Sequence, residues 1–272
     1  MASLAGGAGP IGVFDSGVGG LTVLKALRTL LPAQDFMYLG DTARLPYGSK
    51  SRATVERDSL QCARVLVQRG VRALVVACNT ASAAALPALR AEHPELAIFG
   101  VIEPGAAAAV RASCNRRIAV IATLSTVQGG AYDRQIRMLA PDVQVRTLAC
   151  PLFVALAEEG WTEGSIAQAV ARRYLDPLFA AADPPDVLVL GCTHFPLLRE
   201  VIGSVIPAGV SLVDSAHTTA TEVAAALGSD RSAPKEGRVN WLATDGAARF
   251  AQVGSRFLGR PIAAPEVDLP AL

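Results

Sequence analysis

"VLVLGCTHFPLL" (187–198) decides how this chain is read. Four apolar residues run into Gly191 and Cys192, a threonine and a histidine follow, and then comes an apolar run of helical character. An apolar run without strict alternation, rich in Val and Leu, reads as a strand covered on both faces. Gly191 ends it, and the cysteine falls at the turn. The same pattern occurs earlier as "ALVVACNTASAAAL" (73–86), with Cys78 in the equivalent place.

Working outward, short Val- and Ile-rich runs alternate with helical patterns. "IGVFD" (11–15) precedes "GGLTVLKALRTLL" (19–31), and "DFMYLGD" (35–41) precedes "SRATVERDSLQCARVLVQRG" (51–70). "RIAVIAT" (117–123) begins the pattern afresh. Strand, helix, strand repetition implies an α/β fold with parallel sheets and right-handed crossovers. An internal echo sharpens this. Ile11 matches Ile118, Leu45 matches Cys150, and Cys78 matches Cys192, with offsets of 107, 105 and 114. Two duplicated α/β lobes are expected, pseudo-symmetric, each with a mostly parallel sheet flanked by helices and with an active site in the cleft between them. Residues 1–100 with 212–272 are assigned to the first lobe, carrying Cys78, and 101–211 to the second, carrying Cys192. The boundary is placed at a Pro-Gly turn in "FGVIEPG" (99–105). "SLVDSAHTTATEVAAAL" (211–227) should open a further strand and helix, with Thr219 and Glu222 at capping-box spacing. "GSDRSAPKEGR" (228–238) reads as a polar loop, and the tail after Pro261 as irregular.

Composition bounds the function. The chain has 272 residues, 51% of them hydrophobic, and a net charge of +1 from 25 basic and 24 acidic residues. No global field favours nucleic acid or an anionic membrane. "MASLAGGAGP" lacks the basic and apolar segments of a secretory signal, and no stretch offers the roughly 18 apolar residues of a spanning helix. Five cysteines, at 62, 78, 114, 150 and 192, form neither an even disulfide framework nor a CxxC metal cluster. A soluble cytoplasmic protein with reduced thiols and no metal is expected.

The candidate chemistry lies at strand ends. Turns after parallel strands collect at the carboxyl edge of the sheet, where open α/β sheets bind ligands. Helix-terminal amides there favour anions and can support a thiolate. Cys78, followed by Asn79 and Thr80, and Cys192, followed by Thr193 and His194, both fall in that place. Cys62, Cys114 and Cys150 read as ordinary small residues. Gly17, Gly19 and Gly20 in "DSGVGG" form no dinucleotide fingerprint and no P-loop; they read as a tight turn approaching a small anion. Asp15 ends the first strand and is either a helix cap or a site residue. Tyr47 and Gly48 lie in a loop after a strand, where binding is plausible. His93 and His217 show no comparable context.

Together "FDSGVGGLTV", "YLGDTARLPYGSKS", "VVACNTASA", "VIEPG", "STVQGGAY" and "LGCTHFPLL" resemble the successive signatures of glutamate racemases, within the aspartate/glutamate racemase superfamily, over about residues 11 to 259. The resemblance implies two-base racemisation of L- and D-glutamate without a cofactor, supplying D-glutamate for peptidoglycan. It implies Cys78 and Cys192 as the acid/base pair, with Asp15 assisting near Cys78 and His194 near Cys192. It implies Asp15, Ser16, Tyr47, Gly48, Asn79, Thr80, Thr193 and His194 as the residues that hold substrate. A second-lobe glutamate is also implicated, Glu158 being favoured over Glu159. Cys78 is suggested for the D form and Cys192 for the L form. A homodimer is expected and, by analogy with some members, an interaction with DNA gyrase. A racemase of aspartate and a non-catalytic amino-acid-binding module are the alternative readings.

Overall fold

In the computed structural model, which describes residues 9–228, 236–263 and 265–267, ten strands and eleven α-helices are resolved. They follow in the order β1 (Ile11–Asp15), α1 (Leu21–Leu30), β2 (Phe36–Gly40), α2 (Arg52–Gln68), β3 (Ala73–Val76), α3 (Asn79–Glu92), β4 (Ala97–Gly100) and α4 (Ile102–Ala112). Then come β5 (Arg117–Ala122), α5 (Leu124–Gly129), α6 (Ala131–Leu139), β6 (Gln144–Ala149), α7 (Pro151–Glu159), α8 (Gly164–Phe179), β7 (Val187–Gly191), α9 (Arg199–Val205), β8 (Ser211–Asp214) and α10 (Ser215–Leu227). β9 (Val239–Ala243), α11 (Ala247–Leu258) and β10 (Glu266–Val267) close the described chain.

All strand pairs are parallel. One sheet has the order β10-β9-β2-β1-β3-β4, the other β6-β5-β7-β8. The motif 2-1-3-4 therefore occurs twice, as the echo requires, and β9 and β10 extend the first sheet beyond β2. Every residue of β1, β2, β3 and β7 is buried, which is why these strands carry no polar alternation.

Helices α1, α4 and α10 are clamped between the two sheets. Leu21, Leu24 and Leu27 of α1 meet Ala216, Ala220 and Val223 of α10 in one core that includes Val13 of β1 and Val189 of β7. The small side chains of α4 and α10 let the helices approach closely. Truncating Leu24, which is fully buried, would cost about 2–5 kcal/mol. The outer faces have separate cores, one under α2 and α3 and one under α7, α8 and α9.

Four expectations need correction. β8 pairs with β7, so the return to the first lobe comes after Asp214 and not at 212. The offset of 114 that relates the cysteines also carries Ala97–Gly100 onto Ser211–Asp214, so β8 is the fourth strand of the second unit. "VIEPG" is no turn: Pro104 and Gly105 sit in the first turns of α4, where proline's missing N–H costs nothing. Thr219 and Glu222 lie inside α10, whose cap is Asp214, accepting from the amides of Ala216 and His217. The tail is not wholly irregular, because β10 pairs with β9. The N-terminal residues 1–8 and most of the polar loop, 229–235, lie outside the described residues. Among the described residues no helix is long and apolar enough to cross a membrane.

Candidate active site

In each sheet the chain reverses direction of travel between the first and third strands of the unit. Such a switch point leaves a crevice at the carboxyl edge. At one switch point lie Asp15 at the end of β1, Ser16 just after it and Cys78 after β3. At the other lie Thr123 after β5 and Cys192 after β7. The two crevices open on a single cavity of about 420 Å³. Cys78, Asn79 and Thr80 line it from one side and Cys192, Thr193 and His194 from the other. Ser16, Tyr47, Gly48, Thr123 and Glu158 complete its polar wall, and Leu45, Leu124, Pro151 and Val154 its apolar wall.

Cys78 is the N-cap of α3: its Sγ accepts the Ala81 amide at 3.5 Å, the bond a serine or aspartate oxygen makes at other helix starts. Ser16 Oγ lies 3.7 Å from the sulfur. Burial and neighbouring charge oppose the thiolate. Burial, and then the Asp15 carboxylate, push the thiol up to about 12, despite the helix amide and Ser16. Asp15 itself is fully buried, and burial raises its carboxyl above the ordinary range. It accepts the Gly17 amide at 2.9 Å, its other oxygen has no partner among the described residues, and it lies beneath the cavity wall instead of in it.

Cys192 has a different support. The expected helix does not start at once: Phe195–Leu198 form a 3₁₀ turn and α9 begins at Arg199. The sulfur instead meets His194 Nδ1 at 3.8 Å, and His194 Nε2 meets Glu158 Oε1 at 3.2 Å. Burial alone would lower the imidazolium's pKa, but the hydrogen bonds to Cys192 and Glu158 raise it to about 10. His194 thus carries positive charge at neutral pH. Glu158 is held below the usual carboxylate range, first by its hydrogen bond to His194. Its other oxygen reaches Arg249 at 3.3 Å, and its backbone carbonyl accepts from Arg256 at 2.8 Å. Both arginines are on α11, whose Phe257 also packs edge-on to the His194 ring. Glu159 is exposed, so of the two glutamates Glu158 is the one that reaches the site.

The glycines of "DSGVGG" serve close packing. A Cβ on Gly19 would stand 2.3 Å from Thr193 Oγ1 and 2.5 Å from His194 Cε1. The first turn of α1 therefore presses directly on the Cys192 loop, and Thr22 Oγ1 donates to the Thr193 carbonyl at 2.9 Å. Tyr47 lines the cavity with its ring, because its hydroxyl is committed to Asp41. Gly48 lies against Thr123, where a Cβ would come within 2.8 Å.

Cys62 and Cys150 are buried and Cys114 is exposed; none lines the cavity. His93 and His217 are absent from its wall as well. The sequence reading passed over Thr123, whose hydroxyl joins those of Thr80 at 3.0 Å and Thr126 at 2.9 Å. The signal was present: the offset of 107 that takes Ile11 to Ile118 takes Ser16 to Thr123. The apolar residues Val154 and Ala155 gave no signal, because nothing in a helical pattern says which face meets a ligand.

The chain matches the Asp/Glu/Hydantoin racemase family over residues 11–223. It is 51% identical, over 252 residues, to a glutamate racemase of Geobacter metallireducens, with 92% of each chain covered. The crystal structure of a glutamate racemase isoform from Bacillus anthracis matches with a TM-score of 0.90 at 34% identity, over 98% of this chain and 100% of the other. The Francisella tularensis glutamate racemase, solved in complex with D-glutamate, matches with a TM-score of 0.86 at 35% identity, over 96% and 97% of the two chains. With most of the chain and nearly all of the fold matched, the protein belongs to the Asp/Glu/hydantoin racemase family, among the glutamate racemases.

Proposed function

We propose that this chain interconverts L- and D-glutamate without a cofactor, using Cys78 and Cys192 as opposed acid and base. The observation that carries the reading is the pair itself. Two units with the same strand order each deliver one cysteine to the same cavity, one from each side. Inverting a stereocentre by proton transfer needs a base on one face of Cα and an acid on the other, with roles exchanged for the mirror-image substrate. A duplicated half-site supplies that arrangement.

In one direction the Cys192 thiolate, paired with the His194 imidazolium, removes the α-proton while the Cys78 thiol donates to the opposite face. The sulfur of Cys78 is then left anionic, facing the α3 amides and Ser16. In the reverse direction the Cys78 thiolate is the base, and the Cys192 thiol, beside His194, is the acid. The resemblance assigns the L form to Cys192 and the D form to Cys78. The α-proton is weakly acidic, so the developing negative charge needs fixed donors. Hydroxyls of Ser16, Thr80, Thr123 and Thr193 and the Asn79 amide surround the cavity, and preorganised donors contribute about 3–4 kcal/mol each. Asp15 acts from beneath by its charge on Cys78. We place the enzyme in the cytoplasm as a homodimer, with D-glutamate for peptidoglycan as its product.

Purified protein is incubated with each glutamate enantiomer in heavy water, and deuterium at Cα is followed in substrate and product. Each enantiomer should yield the other with deuterium at Cα. Cys78→Ser and Cys192→Ser should each lose racemisation by at least about 10³-fold, while α-proton exchange persists for a single enantiomer in each. Near-normal racemisation by either variant would eliminate the two-base scheme.

A further inference from the structure

Tyr132, on α6, is buried and does not line the cavity, yet it touches both cysteine turns. Its hydroxyl donates to Asn79 Oδ1 at 2.8 Å, and Asn79 follows Cys78. Its ring lies against Gly191, which precedes Cys192: a Cβ there would stand 3.1 Å from Tyr132 Cε2. Gly105 of α4 leaves room on another side, where a Cβ would stand 3.3 Å from the phenol oxygen. Glycines on two separate elements thus clear the space that one tyrosine fills.

Asn79 lines the cavity, but its Nδ2 is buried and has no hydrogen-bond partner among the described residues. A carboxamide has an accepting end and a donating end. A donor fixed on Oδ1 therefore fixes Nδ2 as the end left for a ligand. Burial, then the nearby Cys192, holds the phenol above its ordinary pKa, so it remains a donor at any working pH. An unsatisfied buried amide beside a cavity is costly until a partner accepts from it, and a substrate carboxylate has the matching polarity.

We infer that Tyr132 is a positioning residue: it aims the Asn79 amide at a substrate carboxylate and sets the Cys78 turn against the Cys192 turn. This rests on the reading that the cavity binds glutamate, which racemisation by the unaltered protein checks in the same assay. Steady-state kcat and KM are measured with both enantiomers for Tyr132→Phe, Asn79→Ala and the double variant. The Phe variant keeps the ring and loses the hydroxyl, with its bonds to Asn79 and Ser215, and the double variant isolates the share that acts through Asn79. Tyr132→Phe should raise KM about tenfold, with kcat reduced less. The double variant should match Asn79→Ala alone, since Tyr132 acts through Asn79. Effects that multiply in the double variant overturn the inference, and so does a Phe variant within about twofold of the unaltered KM. Should Tyr132→Phe fail to fold, Gly105→Ala presses a methyl on the phenol and must also raise KM; an unchanged KM there is equally fatal. A protein inactive on glutamate before any substitution would sink the functional reading and this inference with it.

Discussion

The two cysteine turns occupy equivalent positions in duplicated units, yet they hold their sulfurs by different means. Cys78 caps a 14-residue helix and faces a buried carboxylate. Cys192 has a 3₁₀ turn after it and is paired with a histidine, which a glutamate orients in turn. Duplication therefore conserved the location of the thiol and not its electrostatics. The fold fixes where a reactive group can stand; its neighbours fix the charge it prefers. In the resting site one sulfur is held as a thiol by burial and Asp15, while the other faces a positive charge. That difference gives the two half-sites unequal electrostatic surroundings.

The largest test of this contrast is His194→Gln. Without the imidazolium, kcat/KM should fall by about 100-fold in both directions, because each direction uses Cys192 once. The pH profile adds a signature. In the unaltered protein activity should drop as pH rises through about 10, where His194 loses its proton, and that limb should vanish in the variant. An alkaline limb that survives in His194→Gln would mean that histidine does not set the charge at Cys192.

A smaller effect is expected on the other side. Asp15→Asn removes the carboxylate that, after burial, raises Cys78 to about 12. The Cys78 thiol should then titrate lower. Alkylation by iodoacetamide, read on the Cys78 peptide by mass spectrometry at pH 8, should speed up by about tenfold. No change in the Cys78 rate would remove Asp15 from the account of that half-site.

The least effect belongs to Arg249→Met. Its side chain is 66% exposed, so its pairing with Glu158 should contribute less than about 1 kcal/mol to stability. The sign of the pH dependence still separates the two partners of the His194–Glu158 pair. The Glu158 pKa is depressed, so its contribution is present above the ordinary carboxylate value and is lost as pH falls through its lowered value. The His194 pKa is raised, so its share is complete below the ordinary histidine value and fades as pH climbs to about 10. Thermal melts across pH should therefore show a plateau between the ordinary carboxylate and histidine values, roughly pH 4.5 to 6.5, with Arg249→Met shifting only its acid edge.

Much of this was legible in the residues. Val187–Leu190 and Leu74–Val76 announce strands buried on both faces, because no polar residue interrupts them. The repeat places both cysteines at equivalent turns, and the same offset would have found β8 and Thr123 had it been carried through the chain. Other features were hidden for physical reasons. "VIEPG" carries turn residues but begins α4, since a helix's first turn tolerates proline. Cys192 was expected at a helix start, and Pro196 instead opens a 3₁₀ turn. Arg249 lies 91 positions from Glu158, and only the packing of α11 across the second lobe brings them together.

The unequal surroundings of the two sulfurs have a thermodynamic consequence. For mirror-image substrates in an achiral solvent the equilibrium constant is unity. Detailed balance then requires kcat/KM to be the same in both directions, however lopsided the catalyst. The asymmetry between Asp15 and His194 cannot enrich either enantiomer at equilibrium. It can appear only as compensating differences in KM and kcat, that is, in which hand of glutamate saturates the enzyme first and which is turned over faster once it has.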